Sequence, residues 1–284
     1  MSVIRALVIA VLIASVAHAQ RAQSPVSSDN VRPAVLDDIG IDQKLDAQVP
    51  LDAVFRDEDG NVIRLNDLMQ GRPVVLSLVY YGCPQLCTIV LNNMLRTFAA
   101  VPMLIGKDYD VITISFDPTE TPALAADKKR SYIRNYAAGD RAAAESSARN
   151  GWHFLTGDED SIRRITQTVG FRYKYDEKSK QYFHPAGVII LTPEGKIARY
   201  FFGIDYQPTD VRLALSEASN NKIGTLADKA LLYCFHYDSV TGKYGFAVMR
   251  AVRVAGIITV IGMISGILWM LRRERHKPTG VASS

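Results

Sequence analysis

The sequence predicts an α/β domain with helices on both faces of one sheet, and three observations predict it. Two nearly continuous apolar runs, PVVLSLVYY (residues 73–81) and YDVITISFD (residues 109–117), read as strands buried on both faces. Each is followed by a segment of helical composition. Two later apolar segments, HPAGVIILT and KIARYFFG, are joined by the turn Pro193-Glu194-Gly195 and read as an antiparallel hairpin.

The remaining elements fall around these. Upstream, VFRDEDGNVIRL places Asp59-Gly60-Asn61 between two short alternating segments, which predicts a further β-hairpin. After the first buried run, CTIVLNNMLRTFAAV sets Ile89, Val90, Met94 and Leu95 at helix-compatible spacings. TPALAADKKRSYIRNYA reads as a helix with Thr121 as N-cap and Pro122 in its first position. WHFLTG is a short strand that contains His153, and Asp158 caps a helix running through Val169. FRYKYD and the polar EKSKQYF follow, and a helix near residues 209–219 closes the unit. Strand–helix–strand–helix, then a hairpin and a helix, is the order of the thioredoxin-like fold, here with an N-terminal β-hairpin extension.

The two chain ends are of another kind. MSVIRALVIAVLIASVAHAQ has a basic start, a short apolar core and an A-x-A ending, so residues 1–19 read as a secretory signal peptide. Residues 20–46, rich in Ser, Pro, Gln and Asp, read as a linker or arm, and 47–219 as the folded domain. Residues 220–253 form a juxtamembrane linker. Residues 254–271 hold no charged side chain and are just long enough for a single C-terminal transmembrane helix. Arg272, Arg273, Arg275 and Lys277 follow at once, which puts the tail 272–284 in the cytoplasm and the domain outside, in the periplasm of a bacterial cell. Of 284 residues 48% are hydrophobic, and the mean hydropathy of +0.03 suits a globular core with membranous ends. The net charge of +4, with no dense basic and aromatic interleaving, argues against nucleic-acid binding.

The chemistry centres on YYGCPQLC. Cys83 and Cys87 lie where the first buried strand runs into a helix, Cys83 just before it and Cys87 in its first turn. Unpaired N–H groups at a helix N-terminus stabilise thiolate there. Three intervening residues allow a structural disulfide, a redox couple or half of a metal site. A third ligand separates these readings. His18 leaves with the signal peptide, His276 sits in the tail, and His153 is a strand or surface residue. His184, at the start of the strand after the crossover, is brought opposite the cysteines by the fold order. Pro185 beside it stands where such folds often carry a cis-proline. Two sulfurs and an imidazole suit copper, including Cu(I); zinc with a fourth, water ligand is also chemically sound.

VFRDEDGNVIRLNDLMQGRPVVLSLVYYGCPQLC, TISFDPTETP and HPAGVIILTPEGKIARYFFG carry a family resemblance across most of residues 51–219. The chain resembles the Sco/SenC family, thioredoxin-fold copper proteins that assemble the dinuclear copper centre of cytochrome c oxidase. The resemblance implies a metallochaperone rather than an enzyme, with copper as the bound ion, Cys83, Cys87 and His184 as ligands, and a copper-bearing oxidase subunit or related recipient as partner. The alternative is a thiol–disulfide oxidoreductase using Cys83 and Cys87 as a redox pair on target cysteines. Gln85 stands where the family usually has Asp, Thr88 where it often has Pro, and Phe183-His184-Pro185 where Asp-His-Ser is common. Asp117-Pro118 reads first as a strand-terminating turn. Cys234 and His236, two apart in LLYCFHYDSVTGKYG, form an auxiliary pair whose side chains share one face of an extended segment. The plainer account of that stretch is an interfacial linker.

Overall fold

The structure is a computed structural model that describes residues 38–223 and 246–275. The chain divides into Met1–Asp38, of which only Asp38 is described, and Ile39–Ser284. The stretch 1–19 and the pair Cys234 and His236 lie outside the described residues.

Within the stretch expected as an arm, β1 (Gly40–Ile41) is a strand of two residues. The predicted hairpin follows as β2 (Val54–Arg56) and β3 (Val62–Arg64), paired antiparallel with Phe55 opposite Ile63. Asp57 closes its turn: one carboxylate oxygen accepts from the amides of Asp59 and Asn61 at 3.0 and 2.8 Å. Gly60 takes φ 84° there, a conformation open to glycine and costly with a Cβ.

β4 (Val74–Val79) is buried at all six positions, and so is β5 (Asp110–Ser115). Successive strand residues point to opposite faces, so unbroken burial means that both faces are covered. Between these strands α1 (Leu86–Ala100) buries Cys87, Val90, Leu91, Met94 and Phe98. α2 (Pro122–Tyr136) starts as the sequence predicts: Pro122 opens it, and the Thr121 hydroxyl accepts from the Leu124 amide. α3 (Glu145–Gly151), β6 (Trp152–Leu155) and α4 (Glu159–Thr168) follow, with Asp158 capping α4 through the Ser161 amide. β7 (Phe171–Arg172) pairs with β1. The tract without an assigned element then forms a small hairpin, β8 (Lys174–Asp176) with β9 (Gln181–Phe183).

β10 (Gly187–Leu191), β11 (Ile197–Phe202) and α5 (Pro208–Ser219) complete the domain. The main sheet has the order β11-β10-β4-β5-β6. β4, β5 and β6 run parallel, and β10 is antiparallel to both of its neighbours. Together the mixed α/β elements make a thioredoxin-like fold. α1 touches α2 and α5, while Gly157, just before α4, packs on the Phe55 ring of β2. The apolar run 254–271 falls within a helix, α6 (Phe246–Arg275), and the side chains described from 256 to 269 are exposed. Among the described residues no helix is long and apolar enough to cross a membrane.

One buried charge ties the extension to the sheet. Glu58, in the β2–β3 turn, forms an ion pair with Lys129 of α2, and one of its oxygens accepts from the Phe154 amide of β6 at 3.1 Å. His153 Nδ1 lies 3.5 Å from the other oxygen. Burial pushes the Glu58 carboxyl up, but hydrogen bonds from His153 and Lys129 outweigh it and hold it down at about 2. A carboxyl held below its unfolded value of 4.5 contributes fully above that pH and loses its contribution as pH falls towards 2. Glu58→Gln should therefore cost about 2–3 kcal/mol near pH 7. Urea unfolding at stepped pH should show the deficit shrinking between pH 4.5 and 2; a deficit independent of pH would rule the ion pair out as its source.

Candidate metal centre

Six residues, 80–85, separate β4 from α1. The Cys83 amide donates to the Tyr80 carbonyl at 3.3 Å, which folds the loop so that both thiols face the end of the sheet. Gln85 is the N-cap but makes no side-chain cap bond and is exposed. The helix amides turn to sulfur instead: the Cys87 amide donates to Cys83 Sγ at 3.4 Å. Cys87 Sγ in turn accepts from the Tyr80 amide at 3.3 Å. Both cysteines are free thiols and buried.

The two are not equivalent. Burial opposes ionisation of Cys83, but the amides of Cys87 and Gln85 and the Tyr80 side chain outweigh it, so this thiol lies below the ordinary cysteine range. Burial pushes the Cys87 thiol well up, and the nearby Cys83 and Glu120 charges add to the rise. A single thiolate at Cys83 is the arrangement the helix N-terminus supports.

His184 sits between β9 and β10. Its Nδ1 lies 2.8 Å from the Pro185 carbonyl, which can only accept, so Nδ1 carries the proton and Nε2 keeps its lone pair. Nε2 is 3.3 Å from Cys87 Sγ. Burial lowers the His184 pKa and keeps the ring neutral, the form that ligates metal. Tyr80, Phe116 and Phe171 ring the imidazole at centroid distances of 5.8, 5.2 and 6.4 Å.

Cys83 Sγ, Cys87 Sγ and one His184 nitrogen all lie within 4.8 Å of one another. Two ligand bonds of about 2.3 Å placed end to end span about 4.6 Å, so one soft ion reaches all three donors with little movement. The three residues picked from the sequence thus converge, and they fit a soft metal. The isomer of Pro185, which the sequence leaves open, is trans: among the described residues there is no cis peptide. The trans form is the lower in energy by default, and it already lets the Pro185 carbonyl hold the imidazole. Asp117 closes a turn, one oxygen accepting from the Thr119 amide at 2.9 Å and its hydroxyl at 2.7 Å.

Two further residues, which the sequence does not single out, belong to the site. Tyr80 donates its amide to Cys87 Sγ, and its ring stands edge-on to that of His184. Glu120, before α2, accepts from the Tyr81 and Gly82 amides of the cysteine loop at 2.7 and 2.5 Å. It lies within the TISFDPTETP stretch, but a carboxylate just ahead of an N-cap threonine is too common to single out within it.

A thioredoxin-like domain that gathers a C-x3-C pair and a distant imidazole at one end of its central strands defines a class of soft-metal or redox sites. Residues 46–217 match the family model described as SCO1/SenC, well over half of the chain, and the protein belongs to that family. A protein of Stutzerimonas stutzeri described as a candidate copper-binding protein is 22% identical over 135 residues, 46% of this chain. The chain spans 58% of that relative's length. A candidate electron transfer protein from Aquifex aeolicus VF5 superimposes with TM-score 0.53 at 24% identity, over 63% of this chain and 96% of its own. A candidate electron transport protein from the same organism gives TM-score 0.50 at 24% identity, over 63% and 100%. These two likenesses show the fold.

The thiol asymmetry has a direct readout. Iodoacetamide added to the reduced, metal-free protein near neutral pH should label Cys83 at least about tenfold faster than Cys87, as read by peptide mapping. Equal labelling would overturn the assignment of Cys83 as the thiolate.

Proposed function

We propose that this protein is an exported, membrane-anchored copper carrier. It would bind one copper ion through Cys83, Cys87 and His184 and pass it to the dinuclear copper site of a cytochrome c oxidase subunit or a related recipient. The observation that carries this is the gathering of two free thiols and a correctly protonated imidazole within 4.8 Å. Two sulfurs and one nitrogen favour copper over harder ions. Three protein ligands leave room for an incoming thiolate or imidazole, so the ion can leave by exchange without first being set free.

The inequality of the two thiols favours a second reading. A more acidic Cys83 and a buried, protonated Cys87 make an attacking and a resolving thiol, the pattern of a thiol–disulfide oxidoreductase. One set of measurements separates the two. Copper titration of the purified protein should show His184→Ala binding at least about tenfold more weakly than wild type. Equal copper affinities, together with equal copper-free rates of disulfide exchange, would turn the reading to the oxidoreductase.

The membrane placement rests on sequence. Residues 1–19 have the form of an export signal, and 254–271, uncharged and followed by four basic residues within 272–277, form the anchor. The domain would then face the periplasm. A reporter active only in the cytoplasm should work when fused after Ser284; activity there of a reporter that needs export would reverse the topology.

A further inference from the structure

Glu120 is joined to the cysteine loop more closely than a surface carboxylate has reason to be. One oxygen accepts from the Gly82 amide at 2.5 Å, and the other accepts from the Tyr81 amide at 2.7 Å and the Ser115 hydroxyl at 2.5 Å. Ser115 Oγ itself accepts from the Asp117 amide at 3.1 Å, which leaves its proton to point at Glu120. Every contact is thus a donor aimed at a carboxylate. Among the described residues Glu120 forms no ion pair, so no cation cancels its charge. The N-terminus of α2, which begins two residues later, favours the anion. The charge therefore sits, dispersed over donors but unneutralised, against the two residues that precede Cys83.

The carboxylate that braces the loop through both its oxygens also brings a charge to it. A fixed negative charge in a partly buried place acts on its neighbours more strongly than one in water. The site passes through states of different charge. Two thiolates and a neutral imidazole around Cu(I) sum to −1, and around Cu(II) to zero. The disulfide is neutral, and reducing it places two electrons on the same two sulfurs, where a nearby anion opposes them. A nearby anion disfavours the more negative member of each pair.

We infer that Glu120 is a positioning residue whose charge, applied through the Tyr81–Gly82 amides, biases the site towards Cu(II) over Cu(I) and towards the Cys83–Cys87 disulfide over the dithiol. The copper half of this rests on the proposed function; the disulfide half does not.

The test uses the full-length purified chain with Glu120→Gln, which keeps size and one acceptor oxygen but removes the charge, and Glu120→Asp, which keeps the charge on a shorter reach. Thermal unfolding checks that both are folded. Equilibration of the metal-free proteins in thiol–disulfide buffers should show Glu120→Gln shifted towards the dithiol at least tenfold, about 30 mV less negative for this two-electron couple. Glu120→Asp should lie closer to wild type. The ratio of Cu(I) to Cu(II) affinity should rise in Glu120→Gln and be largely restored in Glu120→Asp. A simple brace predicts another order, with both substitutions loosening the loop and Asp no closer to wild type than Gln. That order overturns the inference, as does a Glu120→Gln protein with an unchanged disulfide potential, or one that does not fold. If the wild type fails to bind copper, the carrier reading falls while the disulfide potentials still decide the role of Glu120.

Discussion

The antiparallel pairing of β4 with β10 is the constraint on which the site depends. Ser77 lies opposite Val188 and Val74 opposite Leu191, so the C-terminal end of β4 and the N-terminal start of β10 share one end of the sheet. The chain leaving β4 carries the two cysteines, and the chain approaching β10 carries His184. Residues 97 apart in sequence therefore meet. A slip of two residues would keep every β10 side chain on its face yet move His184 by about 6.6 Å, beyond reach of both sulfurs. Burial of all β4 and β10 positions is what forbids the slip. β5, parallel to β4, ends at the same end of the sheet and leads to Glu120, which bonds the cysteine loop. One sheet register thus fixes ligands and supporting carboxylate alike.

Within that frame, burial and hydrogen bonding pull the three donors in different directions. Burial alone would protonate both thiols and keep the imidazole neutral. The amides at the start of α1 reverse this for Cys83 and leave it in force for Cys87. Metal capture and the loss of a proton from Cys87 are therefore one linked equilibrium. The aromatic wall of Tyr80, Phe116 and Phe171 keeps the site dry enough for these effects to be large.

Much of this was legible in the sequence, for reasons that also mark the limit. PVVLSLVYY and YDVITISFD announce themselves because a strand covered on both faces has no polar alternation to confuse. Cys83 and Cys87 stand out from their place at a strand–helix junction, and His184 from the fold order that returns the chain there. The β8–β9 hairpin was hidden in a polar tract: each strand has three residues, partly or fully exposed, and so writes no hydrophobic pattern. β1 is too short to show any period. Glu120 escaped for a different reason. It acts through bonds to backbone amides 38 and 39 residues away, and a backbone amide has no sequence identity to pair with. The Gln85 departure looked like the loss of a carboxylate near the thiols; the structure supplies one from another segment.

The three donors are also held with unequal firmness, and this bears on release. Cys87 belongs to α1 and its sulfur receives the Tyr80 amide, so moving it disturbs both a helix and the end of β4. Cys83 is tied to the first turn of the same helix through the Cys87 amide. The polar bond of the His184 ring is to the carbonyl of the next residue, a bond within its own loop that can travel with the ring. Its other contacts are aromatic edges and faces, individually weak and tolerant of sliding. For an ion that leaves by exchange, the imidazole is then the donor whose displacement undoes least of the fold, while the two sulfurs hold the ion until a new ligand has arrived.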